Sequence, residues 1–444
     1  MSRHLPHTQT LSTDEISDER TLDETLTGQI KPENDRGFIK SSAGLEEDYP
    51  DGGLRAWLVV GGIMCSSFST FGFVNAWGVF QAYYEEKLLK DSDASTIAWI
   101  GSIQYALVFM PSVVTGRMFD IGCFKAPLLS ASIILVLATF LIAECTQYWH
   151  FLLCQGFAIG LSCGMVFGPS VGIIGHWFRH RRGIAVGLMS TGASVGGTVF
   201  PVVARQLIDT VGFPWTIRII GCILILGLGI ANLTMKRRLP PVKASGGILN
   251  LKAFRSTPYT IWCLSGFVAM LGLYTVQTYI SVSATAYGVS PDVAFYLVSI
   301  ANASSGVGRI VAGICVDRYG ALNYFGPMTI IAGAVTYAWP FARSLASMIV
   351  VVVIYGFTSG AYISSTVNPI YSFGEISDVG RRTGMAFSIA SLGAVAGPPI
   401  SGAINTATRG FEAMGYYAGS TIMLAVVLLY VARYLATGTL RGRF

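Results

Sequence analysis

The sequence predicts an all-α integral membrane protein of twelve transmembrane helices in two six-helix halves, and three observations carry that prediction. Of its 444 residues, 52% are hydrophobic and only 12% are charged, about half the charged share of an ordinary soluble domain. The charges are also unevenly placed. Residues 1–50 hold 5 Lys/Arg and 11 Asp/Glu, leaving 25 and 13 for the other 394 residues, so an acidic tail precedes a basic, very apolar body. Finally, that body divides into apolar stretches about 20 residues long, the length that crosses a bilayer as a helix.

In chain order, residues 1–50 are polar, rich in Ser, Thr, Asp and Glu, and read as a disordered tail. The chain opens on this tail instead of a basic region followed by an apolar run, so the first span itself directs insertion. Spans follow near 57–83, 94–116, 126–144, 149–174, 184–208 and 214–235, giving an N-terminal half over 51–235. A polar, Pro-containing linker occupies 236–258. Spans resume near 259–286, 293–314, 324–342, 346–370, 384–407 and 414–436, giving a C-terminal half over 259–436 and a short tail at 437–444.

With the N-terminus cytoplasmic, the inner loops collect 14 Lys/Arg, among them Arg117, Arg181, Arg182, Arg237, Lys243, Lys252, Arg255, Arg318 and Arg381, against five in the outer loops. The positive-inside rule then predicts that both termini are cytoplasmic. The expected setting is multi-pass, in the plasma membrane, with the bilayer as partner and no nucleic acid. The eight cysteines lie in or beside apolar stretches without a C-x-x-C and read as buried small residues.

The halves echo each other. Arg181-Arg182-Gly183 leads to Gly192 and Gly196, and Arg381-Arg382-Thr383-Gly384 leads to Gly393 and Gly397, nine residues then four at an offset of 201. Asp120 after span 2 and Asp317 after span 8 lie 197 apart, each in a glycine-and-arginine context. Parallel repetition of six-helix halves is the plan of the major facilitator fold, where substrate binds between the halves near the midplane. Asp120, Asp317 and Arg318 read either as a conformational latch at the cytoplasmic surface or as solvated loop charges. The glycines of spans 5 and 11, including Gly183 and Gly187, read as close-packing positions. Pro201, Pro398 and Pro399 are expected to kink or interrupt those spans.

Arg309 carries the most functional weight. Eight positions before Asp317, it lies about 12 Å deeper along a helix. An arginine there costs about 2.5 to 3.5 kcal/mol and faces a partner or a water-filled cavity. Apart from Glu144 at the outer end of span 3, the predicted spans hold no carboxylate. Either an anionic substrate supplies the counter-charge, or the guanidinium snorkels to the surface or caps carbonyls. Asn75, Gln104, Tyr105, Gln155, Tyr274, Gln277, Asn302, Tyr355 and Asn368 are polar mid-span candidates, each equally able to bond a neighbouring helix. Arg205 and Arg218 read as anchors at outer helix ends. No phosphate-binding loop or zinc set occurs in the sequence and no paired carboxylates lie within the spans, so no enzyme, metal or cofactor is expected.

Asp51-Gly52-Gly53-Leu54-Arg55-Ala56-Trp57 entering span 1, and His176-Trp177-Phe178-Arg179-His180-Arg181-Arg182-Gly183 running on to Gly187 in span 5, resemble the two signatures of the monocarboxylate porter family of the major facilitator superfamily, its fungal members in particular. The resemblance covers residues 50 to about 436. It implies secondary-active or facilitated transport of small organic acids, of riboflavin, or of secondary metabolites for export, in some members with a proton. It also implies that Arg309 pairs with substrate. Asn75 stands where acid-carrying members have a lysine, and Ser305 where they have an acid, which implies a cargo larger or less charged than lactate. The expectation is alternating-access transport of an organic acid or acidic metabolite, with Arg309, Asn75, Gln277 and Tyr274 lining the site. The alternatives are a non-transporting sensor on the same fold and a vitamin importer.

Overall fold

The computed structural model describes residues 50–240, 247–374 and 378–439. The expectations for the acidic tail, for Lys243 and for the end of the chain lie outside the described residues. Among the described residues the regular structure is helical, without a strand. The N-terminal half comprises α1 (Leu54–Leu88), α2 (Thr96–Asp120), α3 (Lys125–Ile142), α4 (Tyr148–Trp177), α5 (Arg182–Val211) and α6 (Phe213–Thr234). The C-terminal half comprises α7 (Thr257–Ala286), α8 (Pro291–Tyr319), α9 (Ala321–Ala338), α10 (Leu345–Ser372), α11 (Val379–Thr408) and α12 (Phe411–Thr437). Eleven of these are long and apolar enough to cross a bilayer. The exception is α9, where Asn323, Gly326 and Pro327 interrupt the apolar run.

Local chemistry sets the helix ends. Pro214, Pro258 and Pro291 occupy the first turns of α6, α7 and α8, where a missing N–H costs nothing. Gly212 (φ 80°) and Gly320 (φ 90°) make the reversals into α6 and α9, a backbone region that glycine enters without penalty. On α3 the exposed residues Leu129, Ile133, Leu137 and Leu141 repeat every fourth position, whereas Leu128, Leu135 and Ile142 are buried. A leucine stripe facing outward is stable against lipid and would be unfavourable in water.

The helix contacts repeat between the halves. In the first, α1 packs on α5 and α6, α2 and α3 on α4, and α3 on α6. Adding six to each label gives the second: α7 on α11 and α12, α8 and α9 on α10, and α9 on α12. Two seams join the halves, α5 with α8 and α2 with α11, and the same relabelling exchanges one for the other.

Several helices are interrupted in matched pairs. The α-helical pattern of α1 gives way at Asn75–Ala76 and that of α7 at Tyr274. Turns at Gly168–Pro169 in α4 and Thr366–Val367 in α10 form another pair, and α2 breaks at Met110–Pro111. The prolines expected to kink or interrupt α5 and α11 do not interrupt them: Pro201, Pro398 and Pro399 lie inside continuous helices. Each proline removes one backbone bond, and tight packing along both helices holds the rest.

Candidate functional site: a central polar layer and two latches

The helix breaks create the central site. At the α1 break, the Tyr105 hydroxyl of α2 donates to the Val74 carbonyl at 3.5 Å. At the α7 break, the Tyr355 hydroxyl of α10 donates to the Leu273 carbonyl. Breaks in membrane helices persist where neighbouring side chains or a cavity satisfy the freed backbone, and here a tyrosine from an adjacent helix serves each one. Asn75 and Tyr274 therefore sit at corresponding interruptions, one in each half.

An amide cluster links the halves at this level. Gln277 Nε2 donates to Asn302 Oδ1 at 3.0 Å, and Asn302 Nδ2 donates to the Gly197 carbonyl of α5 at 3.2 Å. A Cβ on Gly197 would stand 3.1 Å from Asn75 Nδ2, so Asn75 adjoins the same cluster, although its own amide donates to Phe71 O at 2.9 Å.

Arg309 is buried, 8% exposed, and crosses the α5·α8 seam. Its Nη1 donates to the Ser190 carbonyl at 2.6 Å and its Nε to Ser305 Oγ at 3.3 Å, while Ser194 Oγ donates to Ser305 Oγ at 3.4 Å. Thus Arg309 caps a carbonyl, one of the alternatives open from the sequence. Among the described residues no carboxylate pairs with it. Tyr274 lies within electrostatic reach of Arg309, and Tyr105, Tyr355 and Tyr362 within reach of Tyr274. The four candidates thus divide into Arg309 with Tyr274 and Asn75 with Gln277, joined through Asn302 and α5. Toward the basic end, Phe71, Phe109, Phe167 and Phe387 pack together, with Phe109 and Phe387 meeting across the halves at 6.2 Å.

The basic end carries two reciprocal latches. Asp317, at the end of α8, accepts from the backbone N–H groups of Gly183 at 2.6 Å and Ile184 at 2.9 Å, at the start of α5. Asp120, at the end of α2, accepts from the Arg381 N–H at 3.1 Å, at the start of α11. A carboxylate on the unsatisfied N–H groups of a helix start is stabilised by hydrogen bonds and by the helix dipole. Each aspartate therefore caps a helix of the other half. Arg318 does not take part. It is exposed and rests on its neighbour Tyr319, 5.4 Å from the ring centre, because the latches use backbone donors, with Arg182 and Arg381 as the nearby cations.

Only glycine permits the close approach at these seams. A Cβ on Gly183 would fall 2.6 Å from the Gly313 carbonyl oxygen, on Gly187 2.6 Å from that of Arg309, on Gly116 2.3 Å from that of Gly380, and on Gly384 2.4 Å from that of Ser112. The later pairs serve contacts within each half: Gly192 and Gly196 meet α1, and Gly393 and Gly397 meet α7.

The first signature forms a clasp. Asp51 (φ 43°) and Gly53 (φ 83°) turn the chain so that Asp51 Oδ1 accepts from the N–H groups of Arg179 (2.6 Å), His180 (2.8 Å) and Arg181 (3.3 Å). Its Oδ2 meets His180 Nδ1 at 2.8 Å. Partial burial works to raise its pKa, but His180 and the three N–H groups outweigh it and hold the carboxyl below the usual value. Gly52 adjoins Arg181 and Trp57, and the Trp57 ring lies 5.0 Å from Phe178. Arg182 stacks on Tyr371 at 4.0 Å. The two signatures, distant in sequence, are thus one structural unit. At the opposite end, Arg205 pairs with Asp292 across the α5·α8 seam, and Arg218 pairs with Glu144 at 2.7 Å.

Comparison with known proteins agrees with this geometry. The sequence profile of the Major Facilitator Superfamily matches residues 59–372 and 262–443. The chain is 37% identical to the MFS transporter asaE of Aspergillus flavus, over 93% of this chain and 94% of that one. It is 35% identical to the aspyridones efflux protein apdF of Emericella nidulans, over 88% and 80% respectively. Among solved structures, the Escherichia coli fucose:proton symporter FucP superposes with a TM-score of 0.65 at 15% identity, covering 84% of this chain and 97% of that one. The human organic anion transporter MFSD10 gives 0.65 at 14% identity, covering 84% and 98%. At such identities these likenesses concern the fold.

Proposed function

Because the chain belongs to the Major Facilitator Superfamily, as a multi-pass membrane transporter and not an enzyme, we propose that it carries a small acidic secondary metabolite, in the direction of export, by alternating access. The observation that carries this reading is Arg309, a buried cation whose acceptors among the described residues are neutral, beside Tyr274 and one helix break. A guanidinium held by a carbonyl and a hydroxyl keeps its charge available to an anion, and tyrosines offer flat apolar faces to a ring-bearing cargo. Asn75 and Gln277 supply hydrogen bonds on the other side of the layer. The relative apdF, named for efflux, supports export, and the Asp51 and Arg181–Gly183 clasp supports placement in the monocarboxylate porter branch. On this reading the basic end is cytoplasmic, both termini lie there, and the plasma membrane is the site of action. A proton accompanies the cargo only if a titratable group follows the latches.

Cargo shifts the populations of the two faces only by its differential affinity for them. Opening the basic end must break the Asp120 cap on the start of α11, and closing the other end brings the halves together around Arg309. Comparing metabolites inside and outside cells with and without the protein identifies the exported compound. Arg309→Gln, present in the membrane at wild-type amount, is expected to export it at least tenfold more slowly. Unchanged export would overturn the reading.

A further inference from the structure

We propose that residues 247–255, in the connection between the halves, form a strap that docks on anionic phospholipid headgroups and transmits their presence to the α2·α11 latch. Ile248, Leu249 and Leu251 are 52%, 51% and 68% exposed, and Lys252 and Arg255 beside them are exposed as well. The strap does not float free of the bundle. Phe254 packs on Tyr259 in the first turn of α7, ring centres 5.3 Å apart, which fixes the segment beside the helix end where acyl chains meet headgroups. Three apolar side chains flanked by two cations match such a boundary, the apolar groups entering it and the cations pairing with its charge.

The strap also touches the latch. Asn250 Nδ2 donates to Asp378 Oδ2 at 2.6 Å, and Arg381 Nη1 donates to the Gly247 carbonyl at 3.4 Å. Asp378 in turn pairs with the Arg381 side chain, and the Arg381 N–H holds Asp120 of the other half. Lipid that fixes the strap therefore fixes Asp378 and Arg381 and favours the closed basic end. This holds whatever the cargo, so failure of the Arg309→Gln experiment leaves it untouched.

The test is amide hydrogen exchange of the full chain in vesicles of phosphatidylcholine alone and of phosphatidylcholine mixed with phosphatidylserine. Each cation near an anionic surface slows strap opening roughly fivefold. Phosphatidylserine is therefore expected to slow exchange over 247–256 at least tenfold, and to slow it at 380–384 as well. Lys252→Gln with Arg255→Gln should abolish both effects, Leu251→Asp should weaken them, and amides of α12 should not respond. Equal exchange in the two vesicles, or a double variant that still responds as wild type, overturns the proposal. So does equal protection by inorganic phosphate added to neutral vesicles, which would show ion binding without a lipid surface.

Discussion

The α5·α8 and α2·α11 seams come from the same repeat yet are closed to different extents. Contacts along α5·α8 run from Asp317 on Gly183, through Arg309 on Ser190 and Asn302 on Gly197, to Arg205 on Asp292 at the far end. Contacts along α2·α11 begin at Asp120 on Arg381 and reach Ser388, whose hydroxyl donates to the Met110 carbonyl at 3.2 Å. Beyond that point Gly393, Gly397 and Gly402 of α11 face α7 instead. With contacts along its whole length the first seam is expected to act as a hinge line, and the second, held only toward the basic end, as a gate, so identical motifs in the two halves need not do equal work in a given state.

The largest effect is expected where this difference is tested sterically. Gly187→Val forces a side chain against the Arg309 carbonyl in the hinge seam and should cost about 3 kcal/mol, read as a lower midpoint of thermal unfolding. Gly384→Val meets the Ser112 carbonyl just as closely, but parting of the gate relieves it. Its midpoint should change little while a cysteine introduced at Thr383, in a chain freed of its native cysteines, becomes reactive. Equal loss of stability in both variants would erase the distinction. Ser305→Ala is expected next in size: it removes an acceptor from a buried charge, worth about 1.5 to 3 kcal/mol, and should slow export while leaving the gate alone.

The aspartate pair gives a smaller contrast. Replacing a helix-capping aspartate by alanine costs about 1 kcal/mol, so Asp120→Ala should raise the population with an open basic end roughly fivefold, measured by labelling at position 383. Asp317→Ala should instead mainly lower the unfolding midpoint, because the rest of the hinge seam still holds. Smallest is the clasp. The folded pKa of Asp51 lies below its ordinary value of 3.8, so its stabilisation is present above that pH and is lost as pH falls through the lowered value. An unfolding midpoint followed over that acid range should fall faster in wild type than in Asp51→Asn, which lacks the titrating group.

Much of this arrangement was legible before the fold was known. Glycine spacing and the two aspartates announced the repeat because the same motif meets the same steric demand twice. Eleven of the twelve expected spans among the described residues have the apolar length to cross a bilayer, and the one that misses it, α9, carries its Asn, Gly and Pro openly. The acceptors of Arg309 were not legible, since the Ser190 oxygen belongs to the backbone and every residue has one. The breaks at Asn75 and Tyr274 were hidden for a related reason: no proline marks them, and the tyrosines that stabilise them come from α2 and α10. Conversely, Pro201, Pro398 and Pro399 advertised interruptions that tertiary packing overrides. Of the two readings open for Arg318, latch member or solvated loop charge, its exposure and its place on the Tyr319 ring favour the second.

The aspartates have one more consequence. Asp120 belongs to the first half and caps the second, and Asp317 does the reverse. Each six-helix half therefore supplies one carboxylate cap and one helix start, so the halves close on each other reciprocally. Because both halves lie in one polypeptide, the residues flanking each cap can differ, as the two seams do.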